Sequence, residues 1–155
     1  MPNIPGLRSP YGKVGRIVYF GRMLDKIRLH AAGRLPAEYV SNLGDTAAPN
    51  FFDARCCRFL GVAYADLRPR VLAGGPDEEH LAWAEAHGRS HTDEECIIWN
   101  AFMTKLGWRD DRTPIVRQRI VEYGCADRAE QIDSMFDLID CDEGRDPAVS
   151  RAAFP

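Results

Sequence analysis

The sequence lacks any apolar run approaching the roughly 18 residues that a membrane-spanning helix needs. Its early uncharged run, Ile17 to Gly21, is confined between Arg16 and Arg22, too short for the apolar region of a secretory signal. No C-x-x-C pair occurs. His80, His87 and His91 offer no metal-binding H-x-x-x-H pair on a continuous helix, because Gly88 interrupts it. D-C-D-E-G at Asp140–Gly144 begins like a calcium loop, but Gly144 stands where an oxygen ligand belongs and Arg145 where the turn glycine belongs. Neither a metal nor a cofactor is therefore expected. The five cysteines, Cys56, Cys57, Cys96, Cys125 and Cys141, are odd in number and scattered. That pattern argues against a secreted disulfide framework and for reduced thiols in a cytoplasm. Strand-like alternation is missing throughout.

What is present is ordinary in total and uneven in arrangement. A chain of 155 residues, 45% hydrophobic and 28% charged, is long enough for one domain that buries about two thirds of its unfolded surface. Residues 1–74 carry a net charge of +6 and residues 75–155 carry −9. Either the two halves attract, or the basic half faces an anionic partner. The overall acidity speaks against nucleic acid, which demands a concentrated basic surface. The acid-free opening 24 residues faintly resemble a transit peptide, but the segment that follows reads as core.

That segment, Val14 to Gly33, has the longest helical apolar period in the chain. On a wheel, Ile17, Phe20, Met23, Leu24, Ile27 and Ala31 form one arc, extended by Val14, Val18, Gly21 and Ala32. Tyr19, Arg22 and Lys26 fall on the polar side. Asp25 and Arg28 project from the extended apolar arc, three residues apart and close enough to pair. A buried charge must be paired or reach water, so the plain reading is a structural ion pair. The sharper one is a ligand pocket, with Gly21 and Ala32 leaving room beside the pair.

The remaining chain punctuates clearly. Residues 1–9 read as an irregular arm, and Ser9-Pro10 as a helix opening. Pro36 to Leu43 reads as a short helix. Asn50 and Asp53 are placed to cap a helix ending at Gly61, with Phe52, Cys56, Phe59 and Leu60 inward, Arg55 and Arg58 opposite, and Cys57 toward the polar flank. Tyr64–Ala73 reads as a helix strained by Pro69 unless that residue lies in its first turn. Thr92 with Glu95 predicts a capping box, and Thr113-Pro114 another opening. Asp127 with Glu130 is expected to open the last helix, whose apolar stripe is Ile132, Met135, Phe136 and Ile139. Opposite runs an acid stripe, Glu130, Asp133, Asp137 and Asp140, read as solvated. Residues 141–155 read as a loosely ordered acidic tail. The fold class is all-α, a single-domain irregular bundle of about seven or eight helices.

Three chemistries compete. Arg28, Arg55 and Arg58, with Asp25, make the best binding set, because guanidinium forks match carboxylate or phosphate. If the first long helix faces the Cys-Cys helix, these residues flank one small anionic ligand. The dull alternative is that Asp25 and Asp53 already satisfy them. Cys57 between arginines is a candidate nucleophile, with His30 the base nearest in character, although buried cysteines are usually inert. Self-association through Trp83, Trp99 or Trp108 is the third, so a homo-oligomer is possible.

The strings L-R-S-P (Leu7–Pro10), G-R-M-L-D-K-I-R-L-H-A-A-G (Gly21–Gly33), F-D-A-R-C-C-R-F-L-G (Phe52–Gly61), I-W-N-A-F-M (Ile98–Met103) and F-D-L-I-D-C-D-E-G-R (Phe136–Arg145) resemble a bacterial family catalogued as domain of unknown function 5069. The likeness spans nearly the whole chain, departing at Gly12 and Pro76, where better helix-opening residues are expected. It implies a compact helical cytoplasmic protein and brings no activity, substrate or catalytic residue with it.

Overall fold

The computed structural model describes residues 3–46 and 48–153. Pro2, expected in the irregular arm, Ala47, expected in a loop, and the last two residues of the expected tail lie outside them.

The first correction concerns where the long helix begins. Val14, Ile17 and Val18 are β-branched, and Gly15 separates them. They form a miniature hairpin in which Lys13–Val14 (β1) pairs antiparallel with Ile17–Val18 (β2). Gly15 takes φ 57° at the first central turn position, which favours glycine in a two-residue loop. The free edge of β2 is closed by side chains. Asn100 accepts from the Val18 amide at 3.0 Å and donates to the Arg16 carbonyl at 2.7 Å, while the Trp99 indole donates to the Val18 carbonyl at 3.1 Å. These bonds do for β2 what a third strand would do. Ser9-Pro10 opens a turn leading into this hairpin, not a helix.

The helix proper, α1, is Phe20–Ala31, and it is buried nearly all round. Arg22 and Lys26, expected on a solvated side with Tyr19, are 3% and 4% exposed, and Tyr19 is equally enclosed. Gly33 at φ 68° stops the helix, and Arg34 N–H donates back to the Leu29 carbonyl at 2.8 Å. Around α1 lie α2 (Ala37–Val40), α3 (Phe52–Leu60), α4 (Tyr64–Leu72), α5 (Asp77–His87), α6 (Asp93–Lys105), α7 (Thr113–Glu122), a 3₁₀ segment (Ala126–Gln131), α8 (Met135–Asp142) and α9 (Pro147–Ala153). Among the described residues this is an all-α bundle with nine α-helices and one 3₁₀ segment, rather more elements than expected. No helix in it is long and apolar enough to cross a membrane.

The main core gathers α1, the hairpin and the inner faces of α3 to α6 on Phe136. Phe136 meets Tyr11 edge-on at 5.2 Å and Phe52 at 5.4 Å between centroids, favourable aromatic geometries. A smaller cluster joins α7 and α8 through Val116, Ile120 and Leu138. A third holds the N-terminal arm, with Ile4 and Leu7 against Leu29 and Leu35. The two oppositely charged halves do attract: Arg8 and Arg28 reach Asp77, and Arg22 reaches Glu143.

Several local expectations change. The Thr92–Glu95 capping box forms as read. Asp127 and Glu130 instead lie in the 3₁₀ segment, and α8 is opened by a second box, Ser134 with Asp137. Pro69 sits inside α4 beyond its first turn. Asp137 and Asp140 are not on a solvated stripe. They are buried, Asp137 accepting from the Tyr11 hydroxyl at 2.7 Å and Asp140 from the Ser9 hydroxyl at 2.8 Å. Cys141 and Glu143 are equally enclosed, and Pro147–Ala153 is helical, so as far as it is described the presumed tail packs on the body.

Candidate functional site

A cleft of about 530 Å³ opens between α1, α3, α7 and α8, within the size range of small-molecule sites. Its inner wall is the face of α1 that the wheel assigned to solvent, Arg22 and Lys26 with Tyr19 just before them. Phe51, Phe52 and Arg55 come from α3 and its approach, and Tyr39 from α2. Arg112, Ile115, Arg119 and Tyr123 line the α7 side, and Leu138, Ile139 and Glu143 the floor.

Two buried charge systems underlie the inner wall. In the first, both Arg22 Nη atoms engage the Glu143 carboxylate, Nη1 at 2.9 Å, and Nη1 also donates to the Arg8 carbonyl. Glu143 further accepts from Tyr39 at 3.0 Å and Arg145 at 2.5 Å. Burial alone would raise its pKa, but the bonds and charges of Arg22 and Arg145 prevail and hold it below the usual glutamate range. In the second, Asp53 accepts at Oδ1 from Tyr19 at 2.7 Å and Lys26 at 2.8 Å, and at Oδ2 from the Gly44 amide at 3.0 Å. Burial lowers the Lys26 pKa despite Asp53 and pushes the Tyr19 phenol well up. Tyr19 also holds φ 74°, a left-handed backbone unusual for a bulky residue. Asp53 is thus no helix cap. It is the fully buried anchor of this constellation.

The outer wall is cationic. Arg55 donates to the Asn50 carbonyl at 3.1 Å and lies 5.2 Å from the Phe102 ring centroid. Burial, and then the charges of Arg58 and Arg112, lower its pKa against the pull of Asp111. Arg112 and Arg119 make no side-chain hydrogen bond or ion pair among the described residues. Glu38, Asp142 and Glu143 also line the cleft, but Arg112 and Arg119 are paired with none of them, and such cations attract an anion.

The sequence-read candidates separate into two places. Asp25 and Arg28 belong to a different cluster, on the α5 side of α1. The room beside Gly21 is taken by Arg8, on which a Cβ would impinge. Arg8 grips Asp25 through Nε at 2.7 Å and Nη2 at 2.9 Å, leaving Arg28 a long 3.5 Å contact with Asp25 and a good 2.7 Å bond to Asp77. Four alternating charges satisfy one another there. Arg55 lines the cleft, while Arg58 is exposed beside it, bonded to the Pro49 carbonyl at 2.5 Å. Asp53 does not neutralise either. Cys57 is 2% exposed rather than toward solvent, and burial pushes its thiol up to about 12. His30 is exposed at the end of α1, so base and thiol occupy different environments. Of the tryptophans, Trp99 is buried and hydrogen-bonded, and Trp108 is exposed. Arg112 and Arg119, which sequence reasoning missed, carry a readable signal: R-x-x-x-x-x-x-R places them two turns apart on one helical face.

No curated protein and no solved structure matches this chain. The sequence profile of the domain of unknown function family DUF5069 matches residues 4–145, nearly the whole chain, which therefore belongs to that family.

Proposed function

We propose that this DUF5069 member binds a small organic anion in the cleft between α1, α3, α7 and α8. One observation carries the reading: Arg55, Arg112 and Arg119 line an aromatic-walled cleft, and the last two make no side-chain ion pair among the described residues. Guanidinium forks would take the carboxylate or phosphate bidentately, and Tyr39, Phe51 and Tyr123 offer surface to a ring or chain. The binding set read from the sequence thereby shifts from Asp25, Arg28, Arg55 and Arg58 to Arg55, Arg112 and Arg119. Five cysteines without disulfides support a reducing, cytoplasmic setting.

The test is a chemical-shift titration of the isotope-labelled protein with phenyl phosphate and with benzoate at low ionic strength. Saturable shifts at Ile115, Ile139 and the arginine side chains are expected, weakening with salt. Losing two charge-assisted contacts in Arg112→Gln/Arg119→Gln should weaken binding on the order of 100-fold. Shifts that never saturate, or that persist in the double variant, would defeat the reading.

A second reading, self-association, has its own observation. Ile97 and Ile98 on α6 are 66% and 60% exposed, beside exposed Phe102. Light scattering across a concentration series decides it: a monomer throughout removes the homo-oligomer.

A further inference from the structure

The chain uses lysine sparingly, three residues against seventeen arginines. Where it buries a strong ion pair it elsewhere chooses arginine, as in Arg22–Glu143, the residue suited to that task. Lys26 is the exception. It lies one turn beyond Arg22 on the same helix wall, lines the same cleft, and is 4% exposed. Its Nζ lies 3.3 Å from the Tyr19 hydroxyl and 2.8 Å from Asp53 Oδ1, and the same phenol donates to Asp53 at 2.7 Å. Tyr19 reaches this place only with its backbone at φ 74°, a strain of the kind that gathers at functional positions. A primary amine can do what a guanidinium cannot: lose its proton and form a bond to carbon.

We propose that Lys26 is a carbonyl-reactive amine, and that the anion taken by the cleft is an aldehyde or 2-oxo acid held as an imine at Nζ. This rests on the anion-binding reading above, whose arginines would hold the acid group. Burial, by lowering the Lys26 pKa, favours the neutral amine that the first step needs.

In that step the nitrogen lone pair attacks the carbonyl carbon and the π pair moves to oxygen, which takes the Tyr19 phenolic proton. The nitrogen gives a proton to Asp53, completing a neutral carbinolamine. Asp53 returns that proton to the departing hydroxyl, which leaves as water while nitrogen forms the double bond. The resulting iminium restores the Tyr19 proton. Amine and carbonyl thus become imine and water, with both side chains regenerated. Tyr19 and Asp53 each act as acid and base, and Asp53, which also accepts from the Gly44 amide at 3.0 Å, positions the pair.

The experiment is reductive trapping of the full chain with cyanoborohydride and either glyoxylate or pyruvate, followed by intact mass and peptide mapping. A single adduct at Lys26 is expected with at least one probe, formed at least ten times faster than at exposed Lys13 or Lys105. Lys26→Arg, which keeps a cation for Asp53, should abolish it. Tyr19→Phe should slow trapping at Lys26 and change its pH profile, and trapping at the parent rate and with the parent pH profile would remove Tyr19 from the step. Reaction only at Lys13, Lys105 or the amino terminus, or no adduct with either probe, overturns the proposal. If those same probes still give saturable, Arg112- and Arg119-dependent shifts, binding stands and the imine alone falls. If Lys26 is trapped equally well in Arg112→Gln/Arg119→Gln, the lysine chemistry stands without the arginine site, and the inference as built on it falls.

Discussion

Removing Arg22 tests the principle that a charged helix can run through the core only with distant partners. In Arg22→Met the Glu143 carboxylate, 1% exposed, loses both bonds from that guanidinium, and the Arg8 carbonyl loses its donor. Breaking one partner of a buried pair costs about 3–5 kcal/mol. Arg145 and Tyr39 still donate to Glu143, so the lower end applies, about 3 kcal/mol. For a domain of this size that is roughly 6–12 °C in Tm. Urea unfolding at pH 7 measures it, and Arg22→Met/Glu143→Leu should recover most of the loss, because a matched apolar pair replaces a buried ionic one nearly neutrally.

The pH dependence supplies an independent check. Glu143 has a depressed folded pKa in the parent protein. Its contribution is therefore present above the unfolded value, about 4.3, and is lost as pH falls through the folded one. In Arg22→Met burial dominates and the folded pKa rises, so acid relieves the buried charge. The stability gap between parent and variant should shrink as pH falls from the variant's raised folded pKa through the parent's depressed one. A loss under about 1 kcal/mol, or a gap that ignores pH, would refute the account.

Three further outcomes follow from single features. Cys57, with its thiol pushed up to about 12 by burial and then by Asp45 and Asp53, should react with iodoacetamide at neutral pH far more slowly than free cysteine; equal rates under native conditions would contradict its placement. Thr92→Ala removes the side-chain acceptor for the Glu95 amide at 3.2 Å, and should cost about 1 kcal/mol by chemical unfolding; Ser at that position should restore it. Gly88→Ala drives a Cβ into the Leu60 carbonyl and Gly61 backbone and should cost about 2–3 kcal/mol, whereas Gly33→Ala has open space and loses only about 1 kcal/mol to its left-handed φ.

How far the fold could be read without coordinates depends on where each residue's partner lies. The Thr92–Glu95 box and the stops at Gly33 and Gly61 depend on bonds within a few residues, and all three stand as read. The hairpin start hid because Val14, Val18 and Ile17 satisfy a helical period as well as a strand, and its edge is closed by Trp99 and Asn100, more than 80 residues away. The polar side of the α1 wheel failed for the same reason. A wheel equates charge with water, but Arg22 finds Glu143 at a separation of 121 residues and Lys26 finds Asp53 at 27. The proposed arginine site was half legible, since Arg55 was named on chemistry and Arg112 and Arg119 were not, lying at the start of and within a helix whose own apolar signal is weak. What did transmit the answer was the coarsest statistic, the opposite charges of the two halves. A basic first half must send its cations inward to meet the acids of the second. Its longest helix is therefore both highly charged and central: Arg22 meets Glu143 of the second half, Lys26 meets Asp53 of its own, and the cleft opens beside both pairs.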